Sequence, residues 1–126
     1  MAKDFERINI LMDFYGDMLT ERQRTFLTYY YVADLSLSEI AENEGITRQG
    51  VRDSIKRAES QLFEMEERLG HAKRFEEVQE GFDEILECVD IINDSNMRTG
   101  LSREINDAVV QIRFIIGTLT DDEDNL

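Results

Sequence analysis

The stretch from Leu35 to Ala58 limits the fold more than any other part of this chain. Ser36 with Glu39 three residues on is a capping box, so a helix is expected to start there. Ile40 and Ala41 then face inward, and Ala41 is small enough for a second helix to cross closely. Gly45, four residues after Ala41, stands where the chain takes a left-handed turn that a β-carbon resists. Ile46 fills the angle between the helices and Thr47 caps the second one. Val51 points back at Ile40 and Ala41, and Ile55 extends the same side. A small residue, a glycine and a β-branched residue at these offsets are what two helices crossing at a tight turn require. The stretch therefore reads as a helix-turn-helix with Ile40, Ala41, Gly45, Ile46, Val51 and Ile55 as its structural set.

The rest of the chain agrees with an all-α fold. It holds 126 residues and no proline, and it is rich in Leu, Glu, Arg, Ala, Gln and Met. Residues 4–18 place Phe5, Ile8, Leu11, Met12, Tyr15 and Met18 at helical spacing. Thr20 with Gln23 is a second capping box, opening a helix to about Ala33. Successive helical residues lie about 100° apart, so Tyr29, Tyr30 and Tyr31 cannot all be buried; Tyr30 and Tyr31 are expected inside. After Val51 and Ile55 an apolar seam continues through Ala58, Leu62, Met65 and Leu69, with Glu59, Glu64, Glu66, Glu67 and Arg68 on the solvated side, until Gly70 ends the helix.

From Ala72 to about Asn93 a second seam runs through Phe75, Val78, Phe82, Ile85, Val89 and Ile92, with Cys88 beside it as a small core residue. Asn93–Gly100 reads as a connection. A last helix, capped by Ser102, buries Ile105, Val109, Ile112, Ile116 and Leu119. The expected division is residues 1–70 as a helix-turn-helix domain with its N-terminal helix, 71–120 as a helical hairpin, and 121–126 as a disordered acidic tail. One such hairpin covers too little of its own apolar surface, so the surplus is expected to meet the first domain or another copy of the chain, and a homodimer is the preferred reading.

Charge narrows the function classes. The formal net charge is −14, which argues against generic nucleic-acid adhesion. Residues 47–58 nevertheless carry Arg48, Arg52, Lys56 and Arg57 against Asp53 alone, whereas residues 71–126 carry five basic and fourteen acidic side chains. No phosphate-cradling glycine loop, metal-ligand spacing or nucleophile–base pairing is present; the single His71 and single Cys88 are expected on separate helices. No enzyme, cofactor or metal is predicted. Apolar runs are too short for a membrane span or signal peptide, and one cysteine fits a reducing cytoplasm.

Leu19-Thr-Glu-Arg-Gln-Arg, Tyr30-Tyr-Val, Leu35-Ser-Leu-Ser-Glu-Ile-Ala, Gly45-Ile-Thr and Val51-Arg-Asp-Ser-Ile-Lys-Arg-Ala resemble the C-terminal, −35-element-binding region of bacterial sigma factors over residues 19–69. With Phe5-Glu-Arg-Ile-Asn-Ile-Leu-Met-Asp-Phe-Tyr-Gly added, the whole chain is similar to the YlxM-like helix-turn-helix DNA-binding family. Membership implies a cytoplasmic protein, linked by gene neighbourhood to the signal recognition particle pathway. The sigma likeness implies double-stranded DNA contacts along the second helix of the motif. Gln49 and Arg52 suit base edges; Arg48, Lys56 and Arg57 suit phosphates, with free amides at the Thr47 cap beside them. Gly50 and Asp53 depart from the sigma pattern: one removes a reader and the other repels phosphate. Promoter melting needs a further domain for which 126 residues leave no room. Two functions follow as expectations. One is a dimeric DNA-binding transcription regulator. The other is an interaction module of the secretion-targeting machinery, docking on a component of the signal recognition particle without binding DNA.

Overall fold

A computed structural model describes residues 4–124, and every element among them is helical. The chain divides into two compact units, Met1–Lys73 and Arg74–Leu126.

The first unit builds its core on one long helix. Helix α1, Phe5–Tyr15, is capped by the Asp4 carboxylate on the Arg7 amide and ends in a 3-10 turn, Gly16–Met18. The single helix expected over residues 4–18 is thus two pieces, and Met18 lies exposed instead of on the apolar side. Helix α2, Glu21–Leu27, starts from the Thr20–Gln23 capping box and passes into a π-helical turn, Thr28–Val32. That wider turn rotates less per residue than an α-helix, which lets the neighbours Tyr30 and Tyr31 both be buried while Tyr29 stays half-buried.

Helix α3, Leu37–Glu44, begins at the Ser36–Glu39 capping box and ends at Gly45 in the left-handed region, φ +67°. Helix α4, Arg48–Leu69, starts at Thr47, whose hydroxyl accepts from the Gly50 amide, and ends at a second left-handed glycine, Gly70. Ile40, Val51, Ile55, Ala58 and Leu62 are sealed from solvent, and α4 packs on α1, α2 and α3. Leu69, placed in the same seam by spacing, is exposed.

Two glutamates of α4 read as solvated turn out to bind core tyrosines. Tyr31 donates its hydroxyl proton to Glu59. Tyr15 donates to Glu66 at 2.6 Å, and Glu66 also accepts from the amides of Ala72 and Lys73 at 2.9 and 3.0 Å. Tyr15 in turn accepts from the His71 amide at 3.0 Å, with the two rings stacked 6.0 Å apart. Helix α5, His71–Thr99, thus has its first amides satisfied from α4 and α1.

The second unit holds the rest of α5 and helix α6, Arg103–Asp124. Helix α5 does not stop near Asn93. It runs on to Thr99, and the connection is only Gly100–Ser102. Asn96 explains the difference: it is buried, donates to the Ser102 carbonyl at 3.1 Å and accepts from the Ser102 amide at 2.8 Å. A residue that reads as loop-forming therefore sits inside the helix and closes the turn. Cys88, expected in the core, is exposed. Of the residues in the expected stripes, Val89, Val109 and Ile116 are buried, whereas Ile85, Ile92, Ile105, Ile112 and Leu119 remain exposed. The backbone of α6 continues through Asp124, past the expected end of that helix; the side chains of the acidic tail lie outside the described residues. No helix among the described residues is long and apolar enough to cross a membrane.

Candidate nucleic-acid interface

The sealed face of α4 decides what its outer face presents. With Val51, Ile55 and Ala58 held at 0% exposure, the remaining residues of the first three turns are fixed in direction. Arg48, Lys56 and Arg57 are exposed and Arg52 is half-buried. Among the described residues none of these four cations is ion-paired. The helix thus offers an arc of basic side chains without an ion-pair partner among the described residues.

Two of the sequence-predicted residues are engaged. Thr47 holds the helix start through its hydroxyl. Gln49, exposed, donates its amide to the Asp53 carboxylate at 2.9 Å. The carboxylate read as repelling phosphate is therefore met by a neutral donor one turn before it. Gly50, which the sigma comparison makes a lost contact, has a packing reason. A β-carbon there would lie 3.1 Å from the Thr47 hydroxyl oxygen and 3.8 Å from Ile46 Cδ1. The glycine leaves room for the cap and for the residue that wedges the two helices apart.

A shallow cleft joins this helix to the start of α2. Thr20, Arg22 and Gln23 line it from one side, and Gly50, Asp53, Ser54 and Arg57 from the other. Arg22 lies in solvent with its guanidinium 5.2 Å from the centre of the Phe26 ring, and it adds a cation from outside the motif beside Arg57. Sequence reasoning missed it. Its position inside the Thr20–Gln23 capping box marks it as helical, but only the packing of α2 on α4 brings it to the basic arc.

The titration of the surrounding groups follows from burial. Desolvation and the Glu66 hydrogen bond raise the Tyr15 hydroxyl above its ordinary range. Tyr31 is raised as well, by burial first and by Glu59 second. For Glu66, burial alone pushes upward, but the Tyr15 hydroxyl, the Ala72 and Lys73 amides and the Arg7 charge outweigh it, leaving the carboxyl below the usual carboxylate range. These groups brace the unit. No cluster of three potential metal ligands occurs among the described residues.

Comparison with known proteins points the same way as the geometry. The family model UPF0122, described as "Putative helix-turn-helix protein, YlxM / p13 like", matches residues 2–102. A UPF0122 protein of Desulforamulus reducens is 43% identical over 101 residues, covering 80% of this chain and 86% of the relative. One from Thermoanaerobacter sp. strain X514 is 46% identical over 94 residues, covering 75% and 80%. One from Symbiobacterium thermophilum is 42% identical over 100 residues, covering 79% and 94%. With a glycine-cornered helix pair in place and a match from the first helix to the end of α5, the chain belongs to the UPF0122 family of helix-turn-helix, YlxM / p13-like proteins.

Proposed function

We propose that the protein is a DNA-binding regulator that reads duplex DNA with the N-terminal half of α4. The observation that carries this reading is the unpaired basic arc of Arg48, Arg52, Lys56 and Arg57 on a helix whose opposite side is sealed into the core. A rigid helix with free cations on its outer face fits the major groove. Arg52 is assigned to a base edge. Arg48, Lys56 and Arg57 are assigned to phosphates, together with the first amides of α4 at the Thr47 cap. Gln49 reads a base once it releases Asp53, and the exchange of one hydrogen bond for another makes that release cheap.

Fluorescence anisotropy on a pool of bacterial promoter fragments tests the reading. Arg52→Ala and Lys56→Ala are each expected to weaken binding at about 100 mM salt by about fivefold or more. If both bind as well as the parent protein, α4 is not the reader.

The acidic second half favours a different partner class. Residues 71–126 carry fourteen acidic against five basic side chains, which suits a basic protein or ribonucleoprotein such as a component of the signal recognition particle. Affinity capture from cytoplasm that yields such a component in stoichiometric amount, with no DNA enrichment, would move the function to that reading. A homodimer belongs to both readings.

A further inference from the structure

The α5–α6 hairpin has two unlike flanks. Asp90 and Arg113 bridge the helices at 2.7 Å on one side of their seam. Residues spaced about 100° apart around each axis put Ile85 and Ile92 of α5 on the other side, next to Ile105, Ile112, Ile115 and Leu119 of α6. These six side chains are exposed by between 36% and 53%. From Gly81 to Thr99 on α5, and from Ile105 to Leu119 on α6, this flank carries no charged side chain; Glu84 and Glu104 mark its edges. Asp83, Asp90, Asp107 and Arg113 all fall on the opposite flank.

We propose that the uncharged flank is where a second copy of the chain docks, α5 of each copy against α6 of the other, closing a four-helix bundle. This rests on the dimeric reading given above and names its surface. Three features select a second copy as the occupant. The first is self-complementarity. Gly81, Cys88 and Ser95 recur every seven residues as a row of small side chains on α5, while α6 presents large ones at the matching interval, Ile105, Ile112 and Leu119. A two-fold rotation lays each large row into the other copy's small row, as helices in bundles interlock.

The second feature is area. Six half-exposed branched side chains supply roughly 500 Å² of apolar surface per copy, so a pair reaches the range of specific interfaces once the rim is added. The third is charge. The carboxylates that would hold a basic partner lie off this flank, whereas an uncharged strip is the one place where two strongly acidic chains meet without pairing like charges.

Sedimentation equilibrium of the full chain, with Ile112→Glu compared against Val110→Glu, tests the proposal. Both variants add one negative charge to α6, on opposite flanks. The parent and Val110→Glu are expected to be dimers. Ile112→Glu should raise the dissociation constant roughly tenfold or more. Salt raised from about 50 to about 500 mM should tighten the parent dimer by screening its net charge. If Ile112→Glu loses helicity, the Cys88 thiol decides instead: its reaction with a disulfide reagent should slow as the parent protein is concentrated into the dimer range. A dimer that persists in folded Ile112→Glu, or in which Cys88 reacts equally fast at every concentration, overturns the surface and leaves the dimeric reading standing. A parent chain that is monomeric throughout overturns both, and DNA binding is then judged separately by anisotropy.

Discussion

Gly45 takes φ +67° with nothing within 4 Å of where a β-carbon would sit, so the cost of replacing it lies in the backbone alone. Gly45→Ala is expected to lose about 1–2 kcal/mol of stability in urea unfolding. Gly117 is the contrast. It lies within α6 at ordinary helical angles, also with open space around it, and Gly117→Ala should gain up to about 1 kcal/mol.

Glu66 belongs to the same scale. Its carboxyl is held below the ordinary range by Tyr15, two helix amides and Arg7 despite the upward push of burial. A lowered folded-state pKa adds stability at pH above the unfolded carboxylate value and loses it as pH falls through the folded one. Thermal unfolding followed across the acid range should therefore show part of the acid destabilisation vanish in Glu66→Gln. Glu66→Ala leaves the Ala72 and Lys73 amides at the start of α5 without their acceptor and should cost about 1–2 kcal/mol at neutral pH.

At the scale of elements, the starts of α2, α3 and α4 were legible because each cap is a local contract between a side chain and an amide three residues on. Thr20, Ser36 and Thr47 all make that bond. Ends and widenings were less legible. The π-helical turn at Thr28–Val32 leaves no spacing signature of its own, since it arises from the need to seat two tyrosines side by side. The polar run from Asn93 to Asn96 reads as a loop on propensity, yet α5 continues through it because Asn96 spends its amide on closing the Gly100–Ser102 turn. Asn96→Ala should leave the Ser102 amide and carbonyl without that partner and lower the stability of the hairpin by about 1–2 kcal/mol, read by urea titration.

At the scale of the whole molecule, a chain of net charge −14 carries a small basic arc on α4. In the proposed DNA-binding reading the acidic surface repels the duplex, and three cations, Arg48, Lys56 and Arg57, meet its phosphates. The log–log dependence of DNA affinity on salt is therefore expected to have a slope of about −3, shallow for a nucleic-acid binder, with Lys56→Ala reducing it by about one. Binding measured in anisotropy across a salt series checks both values. A slope that shallow would require base contacts to supply much of the affinity, which in the proposed reading turns on the unpaired Arg52 and on the release of Gln49 from Asp53.

The sequence alone determined the all-helical class, the caps of α2, α3 and α4, the two glycine corners and the sealed face of α4 as far as Leu62, because each depends on residues within one or two turns of each other. The same locality made the basic arc readable, since fixing one side of a helix fixes the other. What only the tertiary structure decided are matters of distant residues meeting. Tyr15 and Glu66 stand 51 residues apart and join to start α5, Arg22 is carried to the outer face of α4 by the packing of α2, and Cys88 is left in solvent beside a seam whose spacing had put it inside. Periodicity shows that a residue lies on an apolar stripe; whether anything covers that stripe depends on how many neighbours the fold brings to it.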